Sequence, residues 1–373
     1  MREDDAVNGT DETFLIVGGA GFIGSHFTDR LLASNRTRRV TLYDNFSSGQ
    51  AWHYAEHRHD SRLEVVRRDV HDLAGLKAAM AGHNTVIHLA SNPDIARAVT
   101  EPDIDFREGT ELTQCVVEAM RQTGTRQILY ASGSGVYGEI GEVEAREDHG
   151  PLVPISTYGA SKLAGEALIA SYCSMFDMRG RVFRFGNVVG RRQTHGIGFD
   201  FVRRLRQDPT RLRILGDGRQ SKSYVHVSDV VSAVLLAGEP AGCPFEAFNV
   251  ATGDYITVAQ IANLACACLG LEPEQVRYEY TGGDRGWKGD VPVIRLSIDK
   301  IRRLGWRPTR TSAQALSEAM KAMRADLEAG CDQGRATEPA SVPCTALSAG
   351  LSECDSLGAE MCSGTVGHHP DCS

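Results

Sequence analysis

Tyr158 and Lys162 are the two residues whose types and spacing most directly suggest chemistry. They lie four residues apart at the start of a predicted helix, so their side chains share one helix face. A free tyrosine has a pKa of about 10, and a tyrosine that acts as a base near neutral pH needs a much lower one. A nearby positive charge, such as an ammonium group, stabilises the phenolate. The pair therefore predicts a tyrosine base tuned by a lysine.

Gly18, Gly21 and Gly24 form a second chemical signal, a G-x-x-G-x-x-G motif between a short apolar strand and a helix. The first glycine permits a tight turn, the second lets a pyrophosphate approach the backbone, and the third allows close packing of helix and strand. Asp44 ends the next strand, where a carboxylate accepts hydrogen bonds from an adenosine ribose and repels a 2′-phosphate. The combination predicts NAD rather than NADP as the cofactor.

Further polar residues follow the later strands. Asp69 ends the third predicted strand, and the run from His88 to Ser91 ends the fourth. The carboxyl ends of the strands of an open α/β sheet share one edge, where ligands bind. We expect these residues to line one rim with the glycine motif, although each alone also fits a turn-capping acid or an ordinary strand end.

Alternating strands and helices must position these residues. Strands are predicted at 14–17, 40–44, 63–69, 85–90, 126–132 and 180–186, with helical segments such as 73–80 and 112–122 between them. This alternation predicts a doubly wound parallel sheet of the Rossmann type with helices on both faces. After about residue 190, helices near 199–205, 257–270 and 311–327 and a strand at 223–227 predict a smaller C-terminal α/β lobe.

The chain divides into four predicted regions. They are an acidic leader (1–12), an NAD-binding domain that carries Tyr158 and Lys162 (13–190), a substrate-binding lobe (191–328) and a disordered tail (329–373). Residues 331–373 contain no Phe, Tyr, Trp or Lys, and they hold six acidic residues, one arginine and five of the ten cysteines. A redox or metal-binding tail is the alternative.

The composition excludes several classes of protein. The 373 residues are 42% hydrophobic and 24% charged, which is typical of a folded soluble chain, and the formal net charge of −8 argues against a general role in nucleic-acid binding. The apolar stretch at 230–237 is far shorter than the ~20 residues that cross a bilayer. The cysteines form no C-x-x-C pair, so we expect no metal site. The acidic first residues do not resemble a secretory signal, so we expect a cytoplasmic protein with reduced cysteines.

Eight segments resemble the extended short-chain dehydrogenase/reductase family, in its nucleotide-sugar epimerase and dehydratase branch. They are GGAGFIG (18–24), YDNFSSG (43–49), HLAS (88–91), SGVYG (134–138), YGASK (158–162), RFGNVVG (184–190), SYVHVSD (223–229) and LGWRP (304–308). They follow the family's order over roughly residues 14 to 310. Taken together, these segments make the chain most similar to enzymes that epimerise UDP-hexoses at C4.

The resemblance implies roles for individual residues. Those expected around NAD are Gly18, Gly21, Phe22, Ile23, Gly24, Asp44, Asn45, Asp69, Val70, Leu89, Ala90 and Lys162. Tyr158 is implied as the base, and Lys162 as the residue that binds the nicotinamide ribose and tunes the base. Asn187 is implied near the phosphates of a sugar nucleotide. Two cations are implied as phosphate contacts: Lys222, at a position where relatives often carry an arginine, and Arg285. The alternative is that both are solvated surface cations.

Gly133 departs from the family pattern. Relatives carry a catalytic Ser or Thr at this position, three residues before Val136. Ser132 and Ser134 are the candidates to take over, and the alternative is that both merely cap the turn. The 4,6-dehydratases place an Asp-Glu pair where this chain has Ser134 and Gly135, and the decarboxylases carry a glutamate just before the valine. The absence of these acids favours oxidation and re-reduction over elimination.

The resemblance therefore implies NAD-dependent epimerisation of a nucleotide sugar, a UDP-hexose at C4, through a transient 4-keto intermediate. One alternative is a dehydratase, a reductase or an epimerase at another carbon of a specialised sugar. An alternative of another class is a non-catalytic NAD-binding sensor or scaffold. The resemblance also implies a homodimer paired through helices at about 108–122 and 160–174, and neither a nucleic acid nor a membrane is expected as a partner.

Overall fold

A computed structural model gives the arrangement of the chain, and it describes residues 12–239 and 242–331. The described residues belong to one compact unit. Residues 1–11 of the expected leader and residues 332–373 of the expected tail lie outside the described residues. Both regions therefore remain predictions, as does the division of the body at residue 190.

The helices and strands of the described residues have the following bounds. The α-helices are α1 (Phe22–Leu32), α2 (Leu73–Met80), α3 (Leu112–Thr123), α4 (Thr157–Met175), α5 (Ile197–Gln207), α6 (Val227–Ala237), α7 (Val258–Leu269), α8 (Asp299–Arg303) and α9 (Ser312–Glu328). The strands are β1 (Glu12–Val17), β2 (Thr37–Asp44), β3 (Leu63–Arg67), β4 (Thr85–His88), β5 (Gln127–Gly133), β6 (Glu144–Ala145), β7 (Arg179–Phe185), β8 (Asn187–Val189), β9 (Arg211–Ile214), β10 (Ser221–Lys222), β11 (Tyr224–His226), β12 (Phe245–Val250), β13 (Ile256–Thr257), β14 (Arg277–Tyr280) and β15 (Arg295–Leu296).

Seven of these strands form one parallel sheet in the order β12, β7, β5, β4, β1, β2, β3. The chain runs outward from β1 through β2 to β3 and then returns to β4 on the other side of β1. Ligands of doubly wound sheets bind at such a reversal, beyond the carboxyl ends of the strands. The sheet confirms the predicted Rossmann-type fold and places the crevice between β1 and β4.

The apolar run of β1 explains why this strand lies at the centre of the sheet. Phe14 and Ile16 belong to one hydrophobic cluster, whereas Leu15 and Val17 belong to another. Successive side chains of a strand point to opposite faces, so both faces of the sheet are covered. A strand buried on both faces is a continuous apolar run, as FLIV is.

The region after residue 190 adds one strand to the main sheet. This strand, β12, pairs in parallel with β7 at the edge of the sheet. The remaining part contains a third hydrophobic cluster, in which α5, α7 and α9 pack on one another. No helix in the described part of the chain is long and apolar enough to cross a bilayer.

Candidate active site

A cavity of about 510 Å³ opens at the carboxyl edge of the sheet. It brings together residues from the sheet edge, the start of α4 and the region after residue 190. The predicted site residues that line it are Gly18, Gly21, Phe22, Ile23, Gly24, Asp44, Asn45, Asp69, Val70, Leu89, Ala90, Ser132, Ser134, Tyr158, Lys162, Asn187 and Lys222. Arg285 is the predicted residue that is not part of this lining. The roles of these residues remain predictions, whereas their convergence on one cavity is a property of the structure.

The glycine motif leaves room for a phosphate at the start of α1. Gly18 has φ +81°, and a Cβ there would lie 2.7 Å from the backbone nitrogen of Ala90. A Cβ at Gly24 would lie 2.5 Å from the carbonyl oxygen of Gly19, so both positions require glycine. Gly21 is the N-cap of α1 and no side chain caps the helix, so its first amide groups remain available to an anion. This backbone fits the pyrophosphate of a dinucleotide.

Asp44 has a structural task in addition to the predicted one. Its Oδ2 accepts a hydrogen bond from the amide of Ala20 at 2.9 Å, and its Oδ1 accepts one from the amide of Phe46 at 2.8 Å. Burial raises the pKa of this carboxyl, and the two amides act in the opposite direction. Each carboxylate oxygen retains a second lone pair, which suits the predicted contact with a ribose.

Tyr158 and Lys162 are fixed by the start of α4 and by β5. The Ser156 hydroxyl caps the helix by accepting a hydrogen bond from the amide of Gly159 at 3.1 Å. Lys162 Nζ donates to the carbonyl oxygen of Ala131 at 2.9 Å and lies 5.5 Å from the centre of the Tyr158 ring. The ammonium is therefore close enough to the phenol to favour its ionised form.

Burial within the protein determines the charge states of Lys162 and Tyr158. It lowers the pKa of Lys162 to about 8, against the opposing effect of the carboxylates of Asp105 and Glu166. It raises the pKa of Tyr158, and the nearby Ser91 side chain acts in the opposite direction. At neutral pH the lysine is charged and the tyrosine is a neutral phenol. A further positive charge beside the ring is needed to make Tyr158 a base near neutrality.

The shifted pKa of Lys162 predicts how stability depends on pH. Between about 8 and the unfolded-state value of about 10.4, the unfolded chain binds a proton at Lys162 that the folded chain lacks. Stability therefore rises with pH in this window, by at most about 1.4 kcal/mol per pH unit. We expect urea unfolding from pH 7.5 to 10 to show this rise in the wild type relative to Lys162→Met. Parallel curves for the two proteins would contradict the assignment.

Ser132 and Ser134 have different surroundings. The Ser132 hydroxyl is buried and donates to Glu166 Oε1 at 2.6 Å, so its proton is already engaged. Ser134 begins a short 3₁₀ turn directly after β5 and is half-buried at the cavity wall. A Cβ at Gly133 would meet no atom within 4 Å. The gap left by the missing Ser or Thr is therefore open space.

The predicted phosphate contacts also differ from each other. Lys222 Nζ forms an ion pair with the carboxylate of Asp290, and both side chains are mostly buried at the cavity wall. Arg285 instead pairs with Asp284 and Glu139. The structure therefore keeps Lys222 as a cavity cation and turns Arg285 toward acidic neighbours.

The sequence analysis did not identify Asp290 and Trp287, which line the cavity together with Lys222. It did place Ser91 at this rim, as the last residue of the HLAS segment, and Ser91 lines the cavity. No local signal pointed to Trp287, because the loop that carries it lacks any periodic pattern.

Comparison with known proteins gives independent information. Residues 14–251 match a family model described as the NAD dependent epimerase/dehydratase family. The chain is 32% identical over 318 residues to a UDP-glucose 4-epimerase of Mycolicibacterium smegmatis, which covers 83% of this chain and 98% of that relative. It is 29% identical over 321 residues to a dTDP-glucose 4,6-dehydratase of an Actinoplanes species, which covers 84% of this chain and 98% of the relative.

A solved structure shows the same similarity in three dimensions. The crystal structure of a UDP-glucose 4-epimerase from Thermotoga maritima with UDP-glucose matches this fold with a TM-score of 0.75 and 30% identity. The match covers 84% of this chain and 99% of that one. The likeness therefore extends over the sheet, the cavity and the region after residue 190 together.

Proposed function

The chain belongs to the NAD-dependent epimerase/dehydratase family, and we propose on that premise that it epimerises a nucleotide sugar, a UDP-hexose at C4, through a transient 4-keto sugar. The observation that carries the proposal is the Tyr158–Lys162 pair in the cavity, together with Ser134 and Gly135 directly after β5. Elimination of water needs an acid and a base beside the sugar. A serine and a glycine where the dehydratases carry two acids favour oxidation and re-reduction.

NAD, when bound, supplies an acceptor that takes a hydride from the sugar and returns it. The free amides at the start of α1 and the Asp44 carboxylate are suited to hold the pyrophosphate and the adenosine ribose. We assign Lys162, which lines the same cavity, to the nicotinamide ribose, as the resemblance implies. NAD is the cofactor of the family, which agrees with the prediction from the glycine motif.

Tyr158 moves the proton. Its phenolate takes the proton of the sugar hydroxyl while the carbonyl forms, and the phenol returns that proton when the hydroxyl is restored. The Lys162 ammonium stabilises the phenolate, and the carbonyl of Ala131 holds Nζ in place. A sugar that turns over in the cavity between the two steps presents its other face for reduction, which inverts C4.

The test is incubation of the purified protein with UDP-galactose and UDP-glucose in separate reactions. We expect each sugar to yield the other, with unchanged mass and a product identified by NMR. Absence of interconversion for both sugars would exclude this substrate pair. A product lighter by one water would favour the dehydratase alternative, and no reduction of bound NAD by any nucleotide sugar would favour a non-catalytic binding protein.

Lys222 and Arg285 should differ in their effect on substrate binding. Loss of a hydrogen bond to a charged group is worth about 1.5–3 kcal/mol, so we expect Lys222→Ala to raise the KM for the sugar nucleotide by roughly 10- to 100-fold. The Arg285 guanidinium is already paired with two carboxylates outside the cavity lining. We therefore expect Arg285→Ala to raise the KM by less than about threefold. Equal effects in steady-state kinetics would contradict this ranking.

We also propose that two copies of the chain form a homodimer through α3 and α4, the pairing that the family resemblance implies. Support comes from apolar side chains next to these helices, since Phe106 is 61% exposed before α3 and Met175 is 70% exposed at the end of α4. Light scattering should give twice the mass of the chain. A single-chain mass at micromolar concentration would contradict the pairing.

We further propose a cytoplasmic location. Support comes from the cysteines of the described residues, which are all free, including the neighbouring buried pair Cys266 and Cys268. A reducing compartment keeps thiols in this state. Cell fractionation tests the proposal directly, and recovery of the protein outside the cytoplasm would contradict it.

A further inference from the structure

The end of β5 lacks the side chain that would supply a second hydroxyl to the cavity. Gly133 has none, and the space where its Cβ would lie is open. Ser132 precedes it, but its buried hydroxyl donates to Glu166 Oε1, so its proton is already engaged. The lining also holds the hydroxyls of Ser134 and Ser91.

Of these, Ser91 is the side chain that lies close enough to the Tyr158 phenol to act against the burial that raises its pKa. It lies three residues after the end of β4 and lines the same cavity as Gly133 and Ser134. Its position at the carboxyl edge of the sheet follows from the HLAS segment. The hydroxyl therefore approaches Tyr158 from the end of β4 rather than from β5.

A buried carboxylate connects the segment that carries Ser91 to the segment that carries Tyr158. Asp105, which is 1% exposed, accepts a hydrogen bond from Asn92 Nδ2 at 2.9 Å and another from Thr157 Oγ1 at 2.6 Å. Asn92 is the neighbour of Ser91 in the chain, and Thr157 is the neighbour of Tyr158. One side chain thus ties together the two segments that carry the hydroxyl pair.

We propose that Ser91 is a catalytic residue of this enzyme, supplying the hydroxyl that relatives carry at the position of Gly133, and that Asp105 is its positioning residue. The proposal rests on the proposed function. The Ser91 O–H donates to the Tyr158 phenolate before proton transfer. The proton of the sugar hydroxyl then passes to the phenolate oxygen, and Ser91 keeps its own proton throughout.

The first test compares Ser91→Ala with Ser91→Thr, which keeps the hydroxyl. We expect Ser91→Ala to lower kcat by roughly 10- to 100-fold and to move the acid limb of the pH profile to higher pH, because the phenolate loses a donor. Ser91→Thr should retain most of the activity and the wild-type profile. Lys162, Asp105 and Tyr130 are the other titratable groups that face Tyr158, and they stay in place. Ser171→Ala, on the exposed side of α4, is the control.

The second test asks whether a serine at position 133, on β5, restores activity that Ser91→Ala loses. Because no atom lies within 4 Å of a Cβ at Gly133, a serine fits there, and Gly133→Ser should recover about tenfold of the activity that Ser91→Ala loses. Full activity and an unchanged pH profile in Ser91→Ala would overturn the proposal. So would an equal loss in Ser134→Ala with none in Ser91→Ala.

A third measurement separates this proposal from the proposed function. The ultraviolet absorbance of tyrosinate, taken as wild type minus Tyr158→Phe, reports the titration of Tyr158 without any substrate. Ser91→Ala should move this titration to higher pH, and Ser171→Ala should not. If no nucleotide sugar is turned over, the proposed function fails while this titration still decides the role of Ser91. An unmoved titration in Ser91→Ala overturns the role of Ser91.

Discussion

Replacement of Tyr158 by phenylalanine is expected to lower the turnover of the nucleotide sugar by about 10²- to 10⁴-fold, the range that a positioned general base contributes. The substitution removes one oxygen and keeps the ring. That ring lies 5.5 Å from Lys162 Nζ, so the packing of the ammonium against the aromatic face is retained. The loss of turnover therefore measures the missing proton transfer and not a disruption of the site's structure.

NAD binding separates this effect from damage to the cofactor site. The glycine motif, Asp44 and Lys162 remain unchanged in Tyr158→Phe, so bound NAD should be present in the same amount as in the wild type. It is measured by absorbance after the protein is denatured. Tyr280→Phe is a suitable control, because Tyr280 is 45% exposed and does not belong to the cavity lining. Undiminished turnover in Tyr158→Phe would show that another group is the base.

The cofactor side of the site was predictable because its signals are local. Gly18 needs a positive φ and Gly24 has no space for a Cβ, so backbone geometry alone requires glycine at these positions. Tyr158 and Lys162 were predictable because four residues in a helix place two side chains on one face. In each case the physical requirement acts within one turn of chain, and a sequence shows such requirements directly.

The partners of the polar side chains were not predictable in the same way. Ser132 meets Glu166 from 34 residues away, and Arg285 meets Glu139 from 146 residues away. No periodicity encodes such pairings, because they depend on which elements the fold brings together. For this reason the sequence left Ser132 and Ser134 as equal candidates, and the structure distinguishes them by the Glu166 contact.

The strand β12 was missed for a different reason. Its sequence, FEAFNV, is short and mixes apolar and polar residues, as befits the edge of a sheet. The apolar stretch at 230–237 directly before it was recognised only as too short for a membrane span, whereas the structure uses it in α6 against the main core. Strands at the edge of a sheet bury fewer side chains, so their sequence patterns of apolar and polar residues are weaker than those of central strands.

The second large effect is expected from Glu166→Ala, which should lower the free energy of unfolding by about 3–5 kcal/mol. Glu166 and Arg184 are 4% and 5% exposed, and the guanidinium reaches both carboxylate oxygens, with Nε at 3.0 Å from Oε1 and Nη2 at 2.7 Å from Oε2. Alanine leaves a buried positive charge without its partner and takes the acceptor from Ser132. Urea unfolding measures the loss.

An exposed ion pair provides the matched control. Arg97 and Glu101 are paired at 2.8 Å, but their side chains are 53% and 40% exposed. Glu101→Ala should therefore cost less than about 1 kcal/mol. The double variant Glu166→Leu with Arg184→Leu should be less destabilised than Glu166→Ala, because no unpaired charge remains. Equal costs for Glu166→Ala and Glu101→Ala would show that the buried pair does not bear on stability.

Glu166 also links stability to the site, since it lies on α4 one turn after Lys162 and two turns after Tyr158. Its bonds to β5 and β7 hold the helix against the sheet, so Glu166→Ala should lower kcat at temperatures well below unfolding. Glu166→Gln keeps an acceptor for Ser132 and should lose less activity than Glu166→Ala. Unchanged kcat in folded Glu166→Ala would show that other contacts are sufficient to position Tyr158.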